Sequence, residues 1–191
     1  WGYFSGVPDV PGDSNALYGP RGIAADPNGT ILLADTGNKR IIRYGPGGED
    51  LGQIGGGGVI GGRFDEPSSV AVDPRTGDVF VADNWNRRIQ KLTPDLTFIE
   101  EWLVPGWETQ LRDDKPGVAV DANGRVYATD PTMYRVIVFS PEGEIQASFG
   151  AYGVESNQMA FPNGIAIDGV SNEILVADAD NNRVMLFPPL P

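Results

Sequence analysis

A unit of about 47 residues recurs four times along the chain, and this repeat constrains the fold more than any other feature of the sequence. Each copy contains a short apolar segment closed by an aspartate, and these aspartates are spaced 47, 48 and 47 residues apart (Asp26, Asp73, Asp121 and Asp168). A second series of aspartates keeps the same register, and each is followed five residues later by an arginine. The pairs are Asp35 with Arg40, Asp83 with Arg88, Asp130 with Arg135, and Asp178 with Arg183. Aspartate and arginine residues that keep the same spacing over four copies indicate one structural unit that is repeated four times.

Each copy has the pattern of several short β-strands. The segments 31–34 and 41–44 are short, rich in β-branched and aromatic residues, and bounded by turn residues. Asp26-Pro27-Asn28-Gly29 has the composition of a hairpin turn between the first and second strands, and Pro46-Gly47-Gly48 that of a turn between the third and fourth. No window has convincing helical periodicity. Four strands in a unit of this length predict a propeller blade, and therefore an all-β chain.

The repeat resembles the NHL repeat. The resemblance rests on Pro20-x-Gly22-Ile23-Ala24-x-Asp26, then Ala34-Asp35-x-x-Asn38-x-Arg40-Ile41, and it covers nearly the whole chain. It implies an NHL-type β-propeller domain over residues 1–187 with four recognisable four-stranded blades. The repeats are expected at about 16–55, 64–102, 113–150 and 159–187, followed by a proline-rich linker or tail at 188–191.

Two ways of completing the ring are open. Trp1-Gly2 resembles the blade-ending Phe149-Gly150, and the last copy stops at Phe187, where its fourth strand should begin. Residues 1–4 could supply that strand and close a rare four-bladed ring. Alternatively, the chain is an arc or fragment of a larger ring, since propellers that it resembles commonly have six blades. An open arc exposes two blade faces rich in Val, Ile and Leu. We favour an arc that another segment completes.

The repeated Asp and Arg residues are predicted to be structural. The Asp is expected to cap the turn between the second and third strands by accepting backbone N–H groups. The Arg is expected to pair with an Asp of its own or a neighbouring blade. A site of chemistry occurs once in a chain, whereas these residues occur in every copy.

Departures from the repeat are the better candidates for binding. The third copy replaces the turn asparagine by Met133, next to Tyr134, and the second copy carries Trp85 in the same turn. The loops after the second and third blades add Trp107 and Tyr152. All five are expected on one rim, where an exposed apolar cluster would mark a partner surface. The alternative, which we favour slightly, is that these side chains pack on neighbouring blades or under the long loops.

Composition removes several kinds of chemistry. Among 191 residues there is no histidine and no cysteine, which excludes the usual zinc sites, Ser-His-Asp and Cys-His catalysis, and disulfides. The net charge of −12 argues against nucleic acid, and no apolar run approaches the roughly 20 residues of a membrane helix. No cofactor is predicted. Asp178-x-Asp180-x-Asn182 matches the first half of a calcium loop without its Gly and distal Glu.

Three functional hypotheses follow. The first is a non-catalytic, extracytoplasmic interaction or scaffold module (periplasmic, surface-bound or secreted) that binds a protein or glycan through its loop rim. The second is a metal-dependent enzyme of the lactonase or lyase kind, with Asp65, Glu66 and Asn163 near the channel. Amidating lyases of related shape use histidine ligands, which this chain lacks. The third is a structural subunit of a surface or membrane assembly.

Overall fold

The regular secondary structure of the chain consists mainly of short β-strands. A computed structural model describes residues 2–4, 13–109 and 114–191. Within those residues there are seventeen strands and four short 3-10 turns, and no α-helix. The expectation of an all-β propeller is confirmed. None of the helical segments in the described ranges has the length and apolarity needed to cross a membrane.

Two short strands precede the blades. β1 (Tyr3–Phe4) pairs in parallel with β2 (Ala16–Leu17). The suggestion that residues 1–4 add an outer strand to the last blade is therefore wrong for Tyr3 and Phe4, which lie beside the entry to the first blade. Trp1, the other residue on which that suggestion rested, lies outside the described residues.

Four antiparallel sheets form the blades, and each follows chain order from the inner to the outer strand. Blade 1 consists of β3 (Gly22–Ala25), β4 (Ile31–Asp35), β5 (Arg40–Tyr44) and β6 (Asp50–Gly55). Blade 2 consists of β7 (Pro67–Val72), β8 (Val79–Asp83), β9 (Arg88–Leu92) and β10 (Phe98–Leu103). Blade 3 consists of β11 (Val118–Val120), β12 (Val126–Asp130), β13 (Arg135–Phe139) and β14 (Ile145–Phe149). Blade 4 has three strands, β15 (Pro162–Ile167), β16 (Ile174–Asp178) and β17 (Arg183–Phe187).

The 3-10 turns punctuate the blades. Three of them join the second and third strands, at Thr36–Asn38, Asn84–Asn86 and Ala179–Asn181. Each is followed by a residue in the left-handed region, and Tyr134 takes that conformation at the same position of blade 3 with φ 57°. The fourth 3-10 turn, Trp107–Thr109, lies in the loop between blades 2 and 3.

Local hydrogen bonds explain the turns between first and second strands. Asp26 ends the apolar segment of blade 1, and its Oδ1 accepts the N–H groups of Asn28 at 2.8 Å and Thr30 at 2.9 Å. Gly29 completes the turn with φ 81°, which a residue with a Cβ adopts only with strain. The aspartates of the first repeat series are thus turn-forming residues.

The core lies between the blades rather than at the axis. It consists of three apolar clusters, each built from the facing sides of two consecutive blades. The inner strands contact one another in the order β3, β7, β11 and β15. The tail at 188–191 contacts blade 3. The carbonyl oxygens of Leu190 and Pro191 accept hydrogen bonds from the Arg125 guanidinium at 2.9 and 2.8 Å.

Candidate functional site

The loops that enter the blades and the turns between second and third strands lie at the same end of the arc, which we call the loop face. They meet there because the second strand of a blade runs antiparallel to the first and ends where the first begins. Backbone hydrogen bonds join the two sets: Gly37 N–H donates to Tyr18 O at 2.8 Å, and Trp85 N–H donates to Asp65 O at 3.0 Å.

In blade 2 the repeated aspartate is the centre of a buried hydrogen-bond network. Oδ1 of Asp83 accepts the N–H of Asp65, which enters the blade, at 2.7 Å. Oδ2 accepts Nε of Arg88 at 2.8 Å and Nδ2 of Asn86 at 2.9 Å. The carboxylate therefore ties the turn to the loop that precedes the blade.

The arginine of the pair binds the same loop through its other nitrogens. Nη1 of Arg88 donates to Val59 O at 2.6 Å and to Glu101 Oε2 at 2.7 Å, and Nη2 donates to Arg63 O at 2.9 Å. Charge-assisted bonds of this kind are stronger than neutral ones. The pair holds the path of the chain from one blade to the next.

Blades 1 and 4 repeat this arrangement. Nε of Arg40 lies 2.8 Å from Asp35 Oδ2, and Nε of Arg183 lies 2.9 Å from Asp178 Oδ2. In these blades an asparagine three residues after the aspartate links it to a carbonyl oxygen of the entering loop. In blade 1, Nδ2 of Asn38 donates hydrogen bonds to Asp35 Oδ2 and, at 3.0 Å, to Ala16 O. The sequence analysis placed this asparagine in the repeat without assigning it a role, and Asn38, Asn86 and Asn181 keep the register of the repeat.

The role expected for the repeated aspartates needs correction. In blades 1, 2 and 4 the side chain forms no capping bond to its own turn, and the N–H group that it accepts comes from the entering loop. Only Asp130 accepts a turn N–H, from Met133 at 3.2 Å. Blade 3 has methionine where the others have asparagine, and Arg135 reaches Asp130 at 3.0 Å and Pro105 O at 3.1 Å. Each arginine pairs within its own blade.

The pKa of the repeated aspartate shifts upward in blades 2 and 3 and downward in blade 4. Burial raises the pKa of the Asp83 and Asp130 carboxyls above the ordinary 3.8, because desolvation disfavours the charged form more than the hydrogen bonds stabilise it. Burial also acts on Asp178, but bonds from the Ala160 N–H, Asn181 and Arg183 outweigh it, so the pKa of Asp178 is lowered. Blade 4 has no described blade on its outer side, which reduces the desolvation there.

Three of the predicted binding side chains are exposed on the loop face. The exposed fractions are 51% for Trp85, 53% for Met133 and 69% for Tyr152. Tyr134 is half-buried, and its ring lies 4.8 Å from that of Tyr152, centroid to centroid. The structure thus brings together the two tyrosines, which come from blade 3 and from the loop after it.

The prediction that Trp107 belongs to this surface is wrong. Its side chain is 1% exposed and packs in the cluster between blades 2 and 3. Nε1 donates a hydrogen bond to Thr129 O at 3.1 Å, so the one polar atom of the indole is satisfied. The short 3-10 turn at Trp107–Thr109 directs the ring inward, as the packing alternative supposed.

A residue that the sequence interpretation did not select joins the turns of blades 2 and 3. Nδ2 of Asn84 donates a hydrogen bond to Asp114 O at 2.8 Å, and the hydroxyl of Thr132 donates one to Asp114 Oδ2 at 3.2 Å. Asn84 directly precedes Trp85, and Thr132 directly precedes Met133. Trp85 and Met133 are therefore each adjacent in the chain to a residue that Asp114 holds by a hydrogen bond. With Tyr134 and Tyr152 they form what we call the aromatic strip.

A polar cavity opens at the axis. It has a volume of about 470 Å³ and is surrounded by the beginnings of all four inner strands. Its lining includes Arg21, Ser68, Ser69, Lys115 and Asn163. Ligand sites in propellers and other folds commonly occupy concave regions of this size, so the cavity is the place where an enzymatic function would be sought.

The residues proposed for an enzyme are engaged in other contacts. Glu66 pairs with Lys115 at 2.8 Å, Asp65 pairs with Lys39 at 2.8 Å, and Oδ1 of Asn163 accepts the N–H of Gly164 at 2.7 Å. Oε2 of Glu66 is buried without a hydrogen-bond partner. Over residues 2–4, 13–109 and 114–191, no three His, Cys, Asp or Glu side chains come close enough together to hold a metal ion.

The family model for the NHL repeat matches residues 17–44, 64–92 and 159–185. These matches fall on blades 1, 2 and 4, in the same register as the Asp, Asn and Arg positions described above. The chain is an NHL-repeat protein. The matched segments leave out blade 3, the copy in which Met133 replaces the repeated asparagine.

Two curated relatives share the repeat. Over 179 residues the chain is 25% identical to the peptidyl-glycine alpha-amidating monooxygenase of Mus musculus. The aligned region covers 91% of this chain and 14% of that protein. Over 132 residues it is 30% identical to Protein brain tumor of Drosophila melanogaster, with 69% of this chain and 12% of that protein covered. The NHL chain therefore spans less than a sixth of the length of either relative.

Solved structures support the same architecture. The chain superposes on a chain of a nidogen/laminin complex with a TM-score of 0.66 and 22% sequence identity. The match covers 89% of the NHL chain and 60% of the other. At this identity the likeness shows the fold, which is a β-propeller.

Proposed function

We propose that this NHL propeller is a non-catalytic interaction module that binds a protein partner through its loop face. NHL propellers generally mediate protein interactions. The observation that carries the proposal is the aromatic strip, in which three large apolar side chains are more than half exposed on one face. Large exposed apolar residues gathered on one surface are typical of interaction sites.

The members of the strip come from blades 2 and 3 and from the loop that leads to blade 4. Trp85 and Met133 flank Asp114, Tyr134 follows Met133 in the chain, and Tyr134 contacts the ring of Tyr152. The hydrogen bonds of Asp114 and the buried Asp–Arg pairs keep these residues in place before a partner binds. A surface that is ordered in advance loses less conformational freedom on binding.

We extend the proposal to the location of the protein, outside the cytoplasm, at a cell surface, in a periplasm or in the medium. The support is compositional: the chain is acidic, free of cysteine and rich in turns. Fractionation of cells that produce the natural protein tests it. Recovery of the propeller in the surface, periplasmic or medium fraction, apart from a cytoplasmic marker, is the expected result, and recovery with the cytoplasmic marker would contradict it.

Catalysis is not part of the proposal because the acidic residues suggested for it, Asp65 and Glu66, are held in ion pairs with lysines of neighbouring blades. The unpartnered Oε2 of Glu66 is the observation that most favours the metal-dependent alternative. Calorimetric titration with calcium separates the two. We expect no stoichiometric binding, and one tightly bound calcium per chain, lost on Glu66→Gln, would favour the enzyme.

Site-specific photo-cross-linking tests the partner surface. A photoreactive amino acid is placed at position 85 or 152, and at position 170 as a control, since Val170 is 95% exposed in a turn between first and second strands, at the opposite end of the blade. We expect one protein to cross-link from positions 85 and 152 and not from 170. With that protein purified, Trp85→Ala should raise Kd about tenfold or more, as expected of an interface tryptophan.

Equal cross-linking from all three positions, or a Kd that Trp85→Ala leaves unchanged, would contradict the proposal. A glycan is the alternative partner. A glycan partner would give no cross-link to a protein. The propeller would instead bind to a glycan array, and Trp85→Ala would weaken that binding.

A further inference from the structure

The polar side chains at the axial cavity are departures from the repeat. Around the start of the inner strand, blades 1 and 4 have the pattern Pro-x-Gly, in Pro20-Arg21-Gly22 and Pro162-Asn163-Gly164. Blade 2 has Ser69 in place of the glycine, and blade 3 has Lys115 in place of the proline. A residue that serves only the architecture recurs in every copy, as the Asp–Arg pairs do, whereas a binding site occurs once in a chain.

One such side chain comes from each blade, and all four line the same cavity. We call them the axial set: Arg21, Ser69, Lys115 and Asn163. The cavity volume of about 470 Å³ lies within the range of roughly 300–1,000 Å³ that is typical of small-molecule sites. The place and the size of the cavity therefore suit a small ligand.

The oxygen atoms of the axial set already accept hydrogen bonds from the backbone. Oδ1 of Asn163 accepts the N–H of Gly164 at 2.7 Å, and Oγ of Ser69 accepts the N–H of Val118 at 3.2 Å. Within the part of the chain that the structure describes, the Asn163 amide nitrogen and the Ser69 hydroxyl hydrogen have no acceptor. These two side chains are therefore left with donors for a ligand.

The charged members give the cavity a net positive charge. Nζ of Lys115 lies 2.8 Å from Glu66 Oε1, so the charges of this pair compensate each other. Arg21 is exposed and forms no ion pair with any other described residue. Although the chain has 26 acidic residues, no aspartate or glutamate is among the described residues that line the cavity. One uncompensated positive charge, that of Arg21, therefore remains.

A matching ligand has one negative charge and further oxygen atoms that accept hydrogen bonds. We propose that the axial cavity binds a small organic monocarboxylate. Its carboxylate pairs with the guanidinium of Arg21, which has the planar geometry for two parallel hydrogen bonds. Its other oxygen atoms accept hydrogen bonds from Ser69 and Asn163. A phosphate monoester is a poorer match, because it carries about −1.5 to −2 charges at neutral pH.

Titration of the purified chain, followed by the backbone and side-chain N–H signals in NMR spectra, tests the proposal. The probes are lactate and glycerate, which combine one carboxylate with hydroxyl groups, and lactamide and inorganic phosphate serve as controls. Both carboxylates should saturate with Kd of about 1 mM or lower and shift the signals of Ser69, Gly164 and the Asn163 side chain. Lactamide, which has nearly the shape of lactate without its charge, should give no saturable shift.

Two variants should change the affinity in opposite directions. Arg21→Gln removes the uncompensated cation and should raise Kd about tenfold or more, as expected when a charge-assisted hydrogen bond is lost. Glu66→Gln removes the anion beside Lys115 at nearly constant size and should lower Kd by roughly threefold. Arg87→Gln is the matched control, since Arg87 is an exposed arginine of the loop face that does not line the cavity, and it should leave Kd unchanged. Circular dichroism verifies that each variant is folded.

Four outcomes would each overturn the proposal. They are the absence of saturable shifts with both carboxylates, equal binding of lactamide, tighter binding of phosphate than of either carboxylate, and a Kd that Arg21→Gln leaves unchanged. Trp85→Ala should not change carboxylate affinity, because Trp85 does not line the cavity. Failure of carboxylate binding therefore leaves the proposed partner surface at the aromatic strip unaffected.

Discussion

Nε of Arg88 donates a hydrogen bond of 2.8 Å to Oδ2 of Asp83, and both side chains are buried. The other nitrogens of Arg88 hold carbonyl oxygens of the loop that enters blade 2, such as Val59 O at 2.6 Å. The ion pair that recurs in every blade thus connects each turn of the loop face to the loop that enters the same blade. It orders the face on which the aromatic strip lies.

Replacing the buried arginine should destabilise the protein strongly. Arg88→Ala leaves the Asp83 carboxylate buried without its cation and frees several loop carbonyls, and removal of one partner from a buried pair costs about 3–5 kcal/mol. Arg43→Ala is the matched control, because Arg43 pairs at 3.0 Å with Asp95, whose side chain is 90% exposed. That pair should contribute less than about 1 kcal/mol. Urea denaturation followed by fluorescence measures both, and equal losses would refute the structural role of Arg88.

The repeated asparagine should matter in the blades that have it. Asn38→Ala removes hydrogen bonds of 2.7 Å to Asp35 and 3.0 Å to Ala16 O in a buried environment, which should cost about 1–3 kcal/mol. Met133→Ala changes the equivalent position of blade 3, where the side chain is 53% exposed, and should alter the free energy of unfolding by less than about 0.5 kcal/mol. The difference between the two variants in thermal and urea unfolding is the measurement. A loss at Met133 as large as that at Asn38 would contradict it.

The two tryptophans of the predicted rim should separate in a stability experiment. Trp107→Ala empties a buried site between blades 2 and 3 and leaves Thr129 O without its donor, so we expect a loss of about 3–5 kcal/mol. Trp85→Ala truncates a side chain that is half exposed, and we expect a change within about 0.5 kcal/mol. Calorimetric Tm values of the two variants decide the matter, and a stable Trp107→Ala protein would show that the burial is misassigned.

The Asp168 carboxyl provides a pH-dependent signature of the last blade. Hydrogen bonds from the N–H groups of Ser171 and Val170, with the Ser171 hydroxyl, hold the pKa of Asp168 below its ordinary 3.8. Because the folded pKa is lower than the unfolded one, the associated stabilisation is complete above the unfolded pKa and is lost as pH falls through the folded pKa. Titration of the carboxyl carbon by NMR should show this low pKa, and Ser171→Ala should raise it part of the way. Thr76→Ala, in the equivalent turn of blade 2, should not change it.

The candidate binding surface could be predicted only in part. Trp85, Met133 and Tyr152 were selectable because they depart from a strict repeat, and the structure exposes all three. Trp107 was selected by the same reasoning and is buried, because the loop before blade 3 forms a short 3-10 turn that directs the ring between two blades. The repeat pattern does not single out Asp114, because the equivalent position holds different residue types in the four copies. Its role arises from contacts with Asn84 and Thr132, which lie 30 and 18 residues away in the chain.

The sequence alone determined the repeated unit, the four blades and the turns within them. Those features depend on interactions between residues close in the chain, such as Asp26 with Asn28 and Thr30. Only the tertiary structure decided which loop side chains are exposed and that Tyr3 and Phe4 lie beside the entry to blade 1. These outcomes depend on packing between segments far apart in the chain, and identical residue types such as Val136 and Val184 are buried or exposed according to whether a neighbouring blade is present.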